Sequence, residues 1–358
     1  MKTLDIKNTN KLTNGIEETI VKENIMTKNT LKIPSNNLES QVELSQLIQN
    51  FDKINIKEID PVVLTNEREK YLFEKGFNVI VDEINDLIFE LLNKGFEWQL
   101  LEDNVIDYFS DHDIKLQEIY NWMLNNQNNS NNIFLLGYIN FRGIETNVDL
   151  KKAFNLFINA SEQNHTNAQY FVGNCYLYGS GTIKNEKLAF EYYEKSANNN
   201  LSHGQLDVGY FYKNGISIDK DFKESVYWYK KAADDGNMKA IYKLGNCYLN
   251  GKGVEKDYNK AFELYRQSAE GGYSGGIAML AYCYYLGVGT KIDKQKALEL
   301  YQESANSGNM IAQYNLALMY EKEECIKIDI DKAIYWYEKS AKQGHKKAQY
   351  KLKKLKNQ

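Results

Sequence analysis

The feature that most limits what this chain can fold into is a repeat. From Asn132 the sequence falls into six consecutive 36-residue units, beginning at Asn132, Ala168, Gly204, Ala240, Gly276 and Ala312, with no insertion or deletion between them. A period of that length marks an array of stacked supersecondary units, each too small to bury an apolar face alone. Apolar residues recur twice per unit at helical spacing, so each unit reads as a pair of helices. Small residues stand at Gly137, Gly173, Gly209, Gly245, Ala281 and Ala317, and again at Ala153, Ala189, Ser225, Ala261, Ala297 and Ala333. Two small faces let paired helices approach closely. The two prolines, Pro34 and Pro61, precede the array, so no proline interrupts its helices.

The helix ends carry further chemistry. Asp149, Asn185, Asp221, Asp257, Asp293 and Asp329 share the register position before the second apolar run, where a short side-chain oxygen can accept from free backbone N–H groups. The second helix is expected to stop at Asn164, Asn200, Gly236, Gly272, Gly308 and Gly344, a position that requires a left-handed backbone. The two exceptions to glycine are both Asn, the next residue best able to adopt it. Gly143, Gly179, Gly215, Gly251 and Gly287 end the first helix in five units, and Gly181, Gly253 and Gly289 follow to make a tight turn. Such stretches as "GKGV" at Gly251 are similar to phosphate-binding loops. They stand in tandem, however, with no preceding strand and no Gly-Lys-Ser/Thr ending, and therefore read as helix-to-helix corners. In the sixth unit Glu323, Glu324 and Cys325 replace the glycines, so a longer or looser corner is expected there.

The run from Leu244 to Gly272, "LGNCYLNGKGVEKDYNKAFELYRQSAEGG", resembles the Sel-one-like repeat family, relatives of the tetratricopeptide repeats. The resemblance covers Asn132 to about Lys347. Tetratricopeptide units run about 34 residues and lack the paired corner glycines. The resemblance implies an all-α fold, an α-solenoid of helical hairpins, and a role in assembling protein complexes. Endoplasmic reticulum quality control, chitin synthase activation and bacterial signalling are the settings associated with the family. Some fungal chains with similar units carry an upstream protein kinase domain. Here there is no glycine-rich ATP loop on a strand, no His-Arg-Asp loop and no Asp-Phe-Gly. Cysteine-rich bacterial members pair two cysteines per unit, a pattern this sequence lacks.

Outside the array the expected divisions are a disordered tail over 1–34 and a partly helical linker over 35–76. A helical cap over 77–124 and an Asn-rich connection over 125–131 follow, with a capping helix at 348–358. The first fifty residues hold no aromatic and little core material, Phe51 being the first of 27 Tyr, 15 Phe and 4 Trp. Asn36 with Glu39 makes a capping box before Leu38, Val42, Leu47 or Ile48, and Phe51, and Pro61 ends that pattern. Phe77, Val81, Ile84, Ile88 and Leu91 draw an apolar seam on a helix ending near Gly95. Ile80, Leu87 and Leu92 widen it, which favours intramolecular packing over a short coiled coil. Two further helices are expected over Phe96–Phe109 and Ile114–Leu124, the latter capped by Asp111 or Asp113. At the other end, the lysines of "AQYKLKKLKNQ" suit a solvated terminal helix.

With 44 Lys+Arg against 48 Asp+Glu, the formal charge of −4 gives no general drive toward nucleic acid or anionic membrane. No apolar run reaches the roughly 20 residues of a membrane helix, and Met1–Thr30 lacks a signal-peptide core, so a cytoplasmic protein is the expectation. Cys175, Cys247 and Cys283 share one register position with Ile139, Phe211 and Met319, the mark of an apolar slot with reduced thiols. His112, His165, His203 and His345 stand at no ligand spacing, so no metal or cofactor is expected. No Gly-x-Ser-x-Gly elbow occurs, and Ser268 and Ser304 fall at small packing positions, so no catalytic residue is nominated.

What remains is a surface. Tyr176, Tyr212, Tyr248, Tyr284 and Tyr320 face neighbouring helices and are read as structural. The adjacent stripe of the first helix, which lines the concave face of similar solenoids, carries Tyr170, Tyr242 and Tyr314; Tyr138, Asn174, Tyr210, Asn246 and Tyr282; and Leu177, Lys213, Leu249 and Tyr285. Tyr with Asn can pack an extended peptide and bond its backbone. For Tyr170, Tyr242 and Tyr314, half-burial between units is the competing reading. The expected function is a non-enzymatic adaptor binding a protein or peptide on that face, in signalling or complex assembly. The alternatives are a regulatory protein competing for kinase partners and an enzyme with unconventional residues. Oligomeric state is not legible.

Overall fold

A computed structural model describes residues 61–96, 98–112, 114–322 and 326–355 of the chain, with side chains from Gly76 onward. The tail and the Asn36–Phe51 pattern lie outside the described residues. The described residues divide into two units, Pro61–Ile80 belonging to one and Val81–Leu355 to the other. Among the described residues every regular element is an α-helix. Three helices precede the array: α1 (Pro61–Lys94), α2 (Trp98–Asp111) and α3 (Leu116–Asn125). Six hairpins follow: α4 (Ser130–Arg142) with α5 (Leu150–Glu162), α6 (Thr166–Tyr178) with α7 (Glu186–Asn198), and α8 (Ser202–Asn214) with α9 (Phe222–Asp234). The remaining three are α10 (Met238–Asn250) with α11 (Tyr258–Glu270), α12 (Ser274–Leu286) with α13 (Lys294–Asn306), and α14 (Met310–Glu321) with α15 (Ile330–Lys342). The terminal helix is α16 (Lys346–Leu355).

Each hairpin is closed by an aromatic ring set against a small residue. Phe157, Tyr193, Tyr229, Tyr265, Tyr301 and Tyr337 recur every 36 residues on the second helices, and all are buried. In four repeats the ring occupies the room a side chain on the first helix would need. A Cβ at Gly137 would lie 2.8 Å from Phe157, at Gly173 2.7 Å from Tyr193, at Gly209 2.7 Å from Tyr229, and at Gly245 2.8 Å from Tyr265. The second helix is then tied back to the start of the first by Ser268, Ser304 and Ser340, whose hydroxyls donate to the Met238, Ser274 and Met310 carbonyls at 2.8 Å.

The expected helix ends are where the register placed them. Asp149, Asn185, Asp221, Asp257, Asp293 and Asp329 each accept from a first-turn backbone N–H of α5, α7, α9, α11, α13 and α15. Left-handed φ values occur at Asn164 and Asn200 (both 62°), Gly236 (84°), Gly272 (80°), Gly308 (87°) and Gly344 (95°). They occur also at Gly143, Gly179, Gly215, Gly251 and Gly287.

The second corner glycine does more than tighten the turn. A Cβ at Gly181 would stand 2.0 Å from the Leu150 carbonyl oxygen, at Gly253 2.1 Å from that of Phe222, and at Gly289 2.2 Å from that of Tyr258. In each case the oxygen belongs to the preceding repeat, so the glycine is where neighbouring hairpins touch backbone to backbone. The corner N–H groups are also spent internally: those of Gly251 and Lys252 both donate to Cys247 O, and that of Asp257 to Tyr248 O at 3.0 Å. A phosphate would find those three donors taken. Repeats 1 and 3 lack the second glycine and hold Glu145 and Ser217 at φ 48° and 58° instead. In the sixth repeat α14 stops at Lys322 in an extended conformation (φ −122°), while Glu323–Cys325 lie outside the described residues.

The array departs from expectation before its first hairpin. Helix α1 begins at Pro61, so the boundary drawn at 76/77 falls inside one continuous helix. A proline at the first helical position lacks a donor that would have been orphaned in any case. Helix α3 starts at Leu116 after Lys115, which makes no side-chain cap bond, and Asp111 is the last residue of α2. The Asn-rich connection shortens to 126–129, because Asn129 itself caps α4.

Candidate partner-binding groove

The first helices α4, α6, α8, α10, α12 and α14 present one face of the array, and its first half is filled by the chain itself. From Val81 onward, α1 lies along the N-terminal ends of α4, α6, α8 and α10. Val81, Ile84, Ile88, Leu91 and Leu92 are buried, each worth roughly 1.5–3 kcal/mol relative to exposure. The Asn85 amide donates to Val81 O and Asn131 O, its oxygen accepts from His165 at 3.0 Å, and its backbone carbonyl accepts from Asn167 at 3.2 Å. The coiled-coil alternative for this seam is thereby replaced by packing within the chain.

The last carbonyls of α1, which a helix leaves without internal partners, are met by the array. Asn93 O accepts from Ser202 Oγ at 2.7 Å, and Leu92 O accepts from His203 Nδ1 at 2.5 Å. Asn237, fully buried, donates to Ser202 Oγ at 3.0 Å and to Leu92 O at 3.5 Å while its Oδ1 caps α10 at Ala240 N–H. The chain turns away at Gly95, where a Cβ would stand 2.6 Å from Asn237 Oδ1. Both histidines are built to stay neutral. His165 Nδ1 accepts from Ala168 N–H, leaving Nε2–H for Asn85, and burial pushes both imidazoles down to about 4.

Helix α2 covers the next stripe. Trp98 stacks on Tyr170 (centroids 5.9 Å apart, planes 10° apart) and meets Phe171 edge-on at 5.1 Å. Glu102 pairs with Arg142 at the far end of α4. Tyr108 bonds back to Glu83 of α1. Helix α3 is the true cap, bonding the first hairpin through Tyr120 to Asn140 and Lys152. The three N-terminal helices were expected to cap the array together; instead α1 and α2 line it.

The candidate groove residues therefore separate into two sets. Tyr138 (0% exposed), Tyr170 (2%) and Tyr242 (3%) are buried. Tyr138 lies in the field of Glu102 and Asp103 from α2, and Tyr170 lies under Trp98, so both stand in the covered half. Tyr242 packs on Tyr265 and Tyr273. Asn174 and Asn246 are buried as well, and their carbonyl oxygens accept from Tyr193 at 3.0 Å and from Tyr265 at 2.8 Å. The Tyr/Asn alternation thus has a packing explanation at these two positions: Asn satisfies a tyrosine hydroxyl from the second helix. Lys213 is buried too. Tyr210, Tyr282, Tyr285 and Tyr314 are half-buried along α8, α12 and α14, with Tyr314 against His345 at 4.5 Å and Lys294 over the Tyr285 ring.

One group that the sequence reading passed over sits at the junction of the two halves. Asp207 on α8 accepts from the Tyr170 hydroxyl and lies in the fields of Lys239 and Lys243; burial raises its carboxyl to about 6 against these partners. Its position one place from the tyrosine stripe was the available signal. Elsewhere, Tyr176, Tyr212 and Tyr284 pack on Phe154, Phe190 and Phe262 in the neighbouring second helices. Cys175, Cys247 and Cys283 are buried thiols outside any disulfide, with burial pushing Cys175 and Cys283 up to about 12. No described helix is long and apolar enough to cross a membrane.

Comparison with known proteins agrees with the hairpin geometry. The Sel1 repeat model matches residues 133–165, 166–201, 202–237, 239–273, 275–309 and 311–345. The solved Sel1 repeat protein from Oxalobacter formigenes is 30% identical with a TM-score of 0.61, covering 66% of this chain and 94% of that one. A protective antigen of uropathogenic Escherichia coli strains displaying an SLR fold is 31% identical, covering 66% of this chain and 59% of that one, with a TM-score of 0.40. Helicobacter pylori cysteine rich protein B is 26% identical over 37% of this chain and 96% of its own, with a TM-score of 0.31. No curated protein matches at a significant level. Six hairpins, each with a side-chain cap on its second helix and a buried ring on that helix, and each matched by the one repeat model, make this chain a member of the Sel1 repeat family.

Proposed function

We propose that the protein is a non-enzymatic adaptor that holds a protein segment along the first-helix face of repeats 3 to 6, past the tyrosine stripe that its own α2 covers. The observation that carries this reading is the change along one face. Repeats 1 and 2 have their groove tyrosines beneath α2, whereas Tyr210, Tyr282, Tyr285 and Tyr314 continue the stripe in half-buried positions. Amphipathic rings held by a rigid scaffold lose little entropy on binding and are the residue type that dominates protein interfaces. A repeat array suits this work, because stacked hairpins extend such a surface without a new core. Complex assembly or signalling in the cytoplasm is the setting proposed for it.

The test is affinity capture from native extract with the full chain as bait, compared with the Tyr210→Ala/Tyr282→Ala double variant. Loss of partners from a variant whose melting curve is nearly unchanged supports the groove. Retention of every partner moves recognition elsewhere on the molecule, and a large loss of stability makes those rings part of the core.

A further inference from the structure

The charge of the chain is unevenly placed, and its densest basic stretch runs through α16. Residues 339–358 hold eight of the 44 basic residues, all of them lysine, and none of the 48 acids. Helix α16 turns one side inward: Ala348 is buried, Leu352 and Leu355 pack on the core of the last repeats, and Lys351 pairs with Glu321 at 2.8 Å. On the other side Lys346, Tyr350, Lys353 and Lys354 follow one another at helical spacing, with Lys347 beside them. Tyr350 is 69% exposed. The four lysines are exposed as well, and among the described residues none of the four pairs with a carboxylate.

The repeat register explains why this side stays open. Lys353 occupies the position that holds Gly or Ala in all six repeats, from Gly137 to Ala317. At Gly137, Gly173, Gly209 and Gly245 that position seats the ring of the second helix, and a lysine leaves no seat for one. Tyr350 likewise stands in register with Tyr170 and Tyr242, which are buried. The composition of the open face then selects what can meet it. Protein interfaces are depleted in lysine and centre on apolar pockets, while paired recognition of carboxylate or phosphate favours the fixed fork of arginine. This face carries no arginine, and its leucines point inward. Flexible point charges around one amphipathic ring suit a planar anionic surface, which attracts them without shape complementarity and holds the ring at headgroup level.

We infer that the exposed face of α16 docks the protein on the surface of an anionic phospholipid bilayer, with Lys346, Lys347, Lys353 and Lys354 against the headgroups and Tyr350 between them. The contact is peripheral and local, since the chain as a whole carries a formal charge of −4. It goes beyond the groove reading and does not rest on it.

Sedimentation of the full chain with vesicles of phosphatidylcholine alone, or of phosphatidylcholine mixed with phosphatidylserine, tests the inference. Binding is expected to the mixed vesicles only, and is expected to weaken as added salt screens the surface charge. Each lysine is expected to contribute about five-fold, so that Lys346→Gln/Lys347→Gln/Lys353→Gln/Lys354→Gln lowers affinity by about 600-fold and no longer pellets. The pair Lys346→Gln/Lys354→Gln, with an expected loss of about 25-fold, serves should the quadruple variant fail to fold. A control, Lys151→Gln/Lys187→Gln/Lys223→Gln/Lys230→Gln, removes the same charge from exposed positions elsewhere and is expected to keep its affinity. Tryptophan emission of a Tyr350→Trp protein is expected to shift to the blue on the mixed vesicles and not on phosphatidylcholine. Equal binding to the two kinds of vesicle, equal loss in the control and α16 variants, or no blue shift each overturns the inference. Self-association that depends on the α16 lysines, with no binding to vesicles, also overturns it and would give this face to a second copy of the chain.

Discussion

Substituting the second glycine of the "GKGV" corner separates two physical costs that the repeat combines. Gly236 and Gly253 both have left-handed φ, 84° and 74°. A Cβ at Gly236 meets nothing within 4 Å, whereas at Gly253 it would stand 2.1 Å from the Phe222 oxygen of the preceding repeat. Gly236→Ala therefore carries the left-handed penalty alone, about 1–2 kcal/mol. At Gly253 the same penalty is joined by a clash, since a normal carbon–oxygen contact is about 3.3–3.6 Å and the hairpins must separate by about 1 Å. Overpacking of that kind costs a further 1–3 kcal/mol or so, which places Gly253→Ala at about 2–5 kcal/mol. Urea titrations followed by far-UV circular dichroism, with hydrogen exchange to locate the loss, measure both variants. The exchange is expected to rise on both sides of the repeat 3–repeat 4 junction for Gly253→Ala and only near α9 for Gly236→Ala. Equal destabilisation by the two would refute the backbone contact between repeats.

Other consequences are as direct. Ser217→Gly relieves a left-handed non-glycine residue and is expected to stabilise the chain by about 1 kcal/mol, read as a rise in urea midpoint; a fall would show that the serine side chain contributes. Asn246→Ala leaves the buried Tyr265 hydroxyl without its acceptor and is expected to cost about 1–3 kcal/mol, most of it restored by adding Tyr265→Phe. Asn237→Ala removes a cap and a buried donor to α1; a loss of about 2–3 kcal/mol, with a change in Trp98 fluorescence as α2 loosens, is expected. Stability is also expected to fall on acidification. His165, His203 and His345 are held down to about 4, below the ordinary 6.5, so their contribution is complete above pH 6.5 and is lost as pH falls toward 4. Asp207, raised from 3.8 to about 6, works in the opposite direction and offsets part of this. Urea midpoints that rise from pH 6.5 to pH 4.5 would contradict these neutral imidazoles.

The caps, corners and register were legible because each depends on backbone conformation within a few residues. Asp149 needs only the N–H three places on, and Asn164 or Gly236 only its own φ. The inner contacts of the hairpin were half legible. Gly245 signalled a close approach, but the ring that fills it, Tyr265, lies 20 positions later, and the same ring explains Asn246. Looking along the first helix alone turned a packing partner into a candidate ligand contact. The filled half of the groove could not be read, since its contacts join Asn85 to His165, Asn93 to Ser202 and Leu92 to Asn237 across 80 to 145 residues. The seam at Val81, Ile84, Ile88 and Leu91 showed that α1 packs on something; its periodicity is indifferent to which face receives it.

One half of the first-helix face is occupied from within, and the proposed function gives the other half to a partner. A photoreactive p-benzoylphenylalanine in place of Trp98 or of Tyr282, irradiated in native extract, tests it most directly. Position 98 is expected to crosslink internally to α6, and position 282 to form an intermolecular adduct. Intermolecular adducts from position 98 with none from position 282 would contradict it, and would make α2 a displaceable cover over the true binding surface.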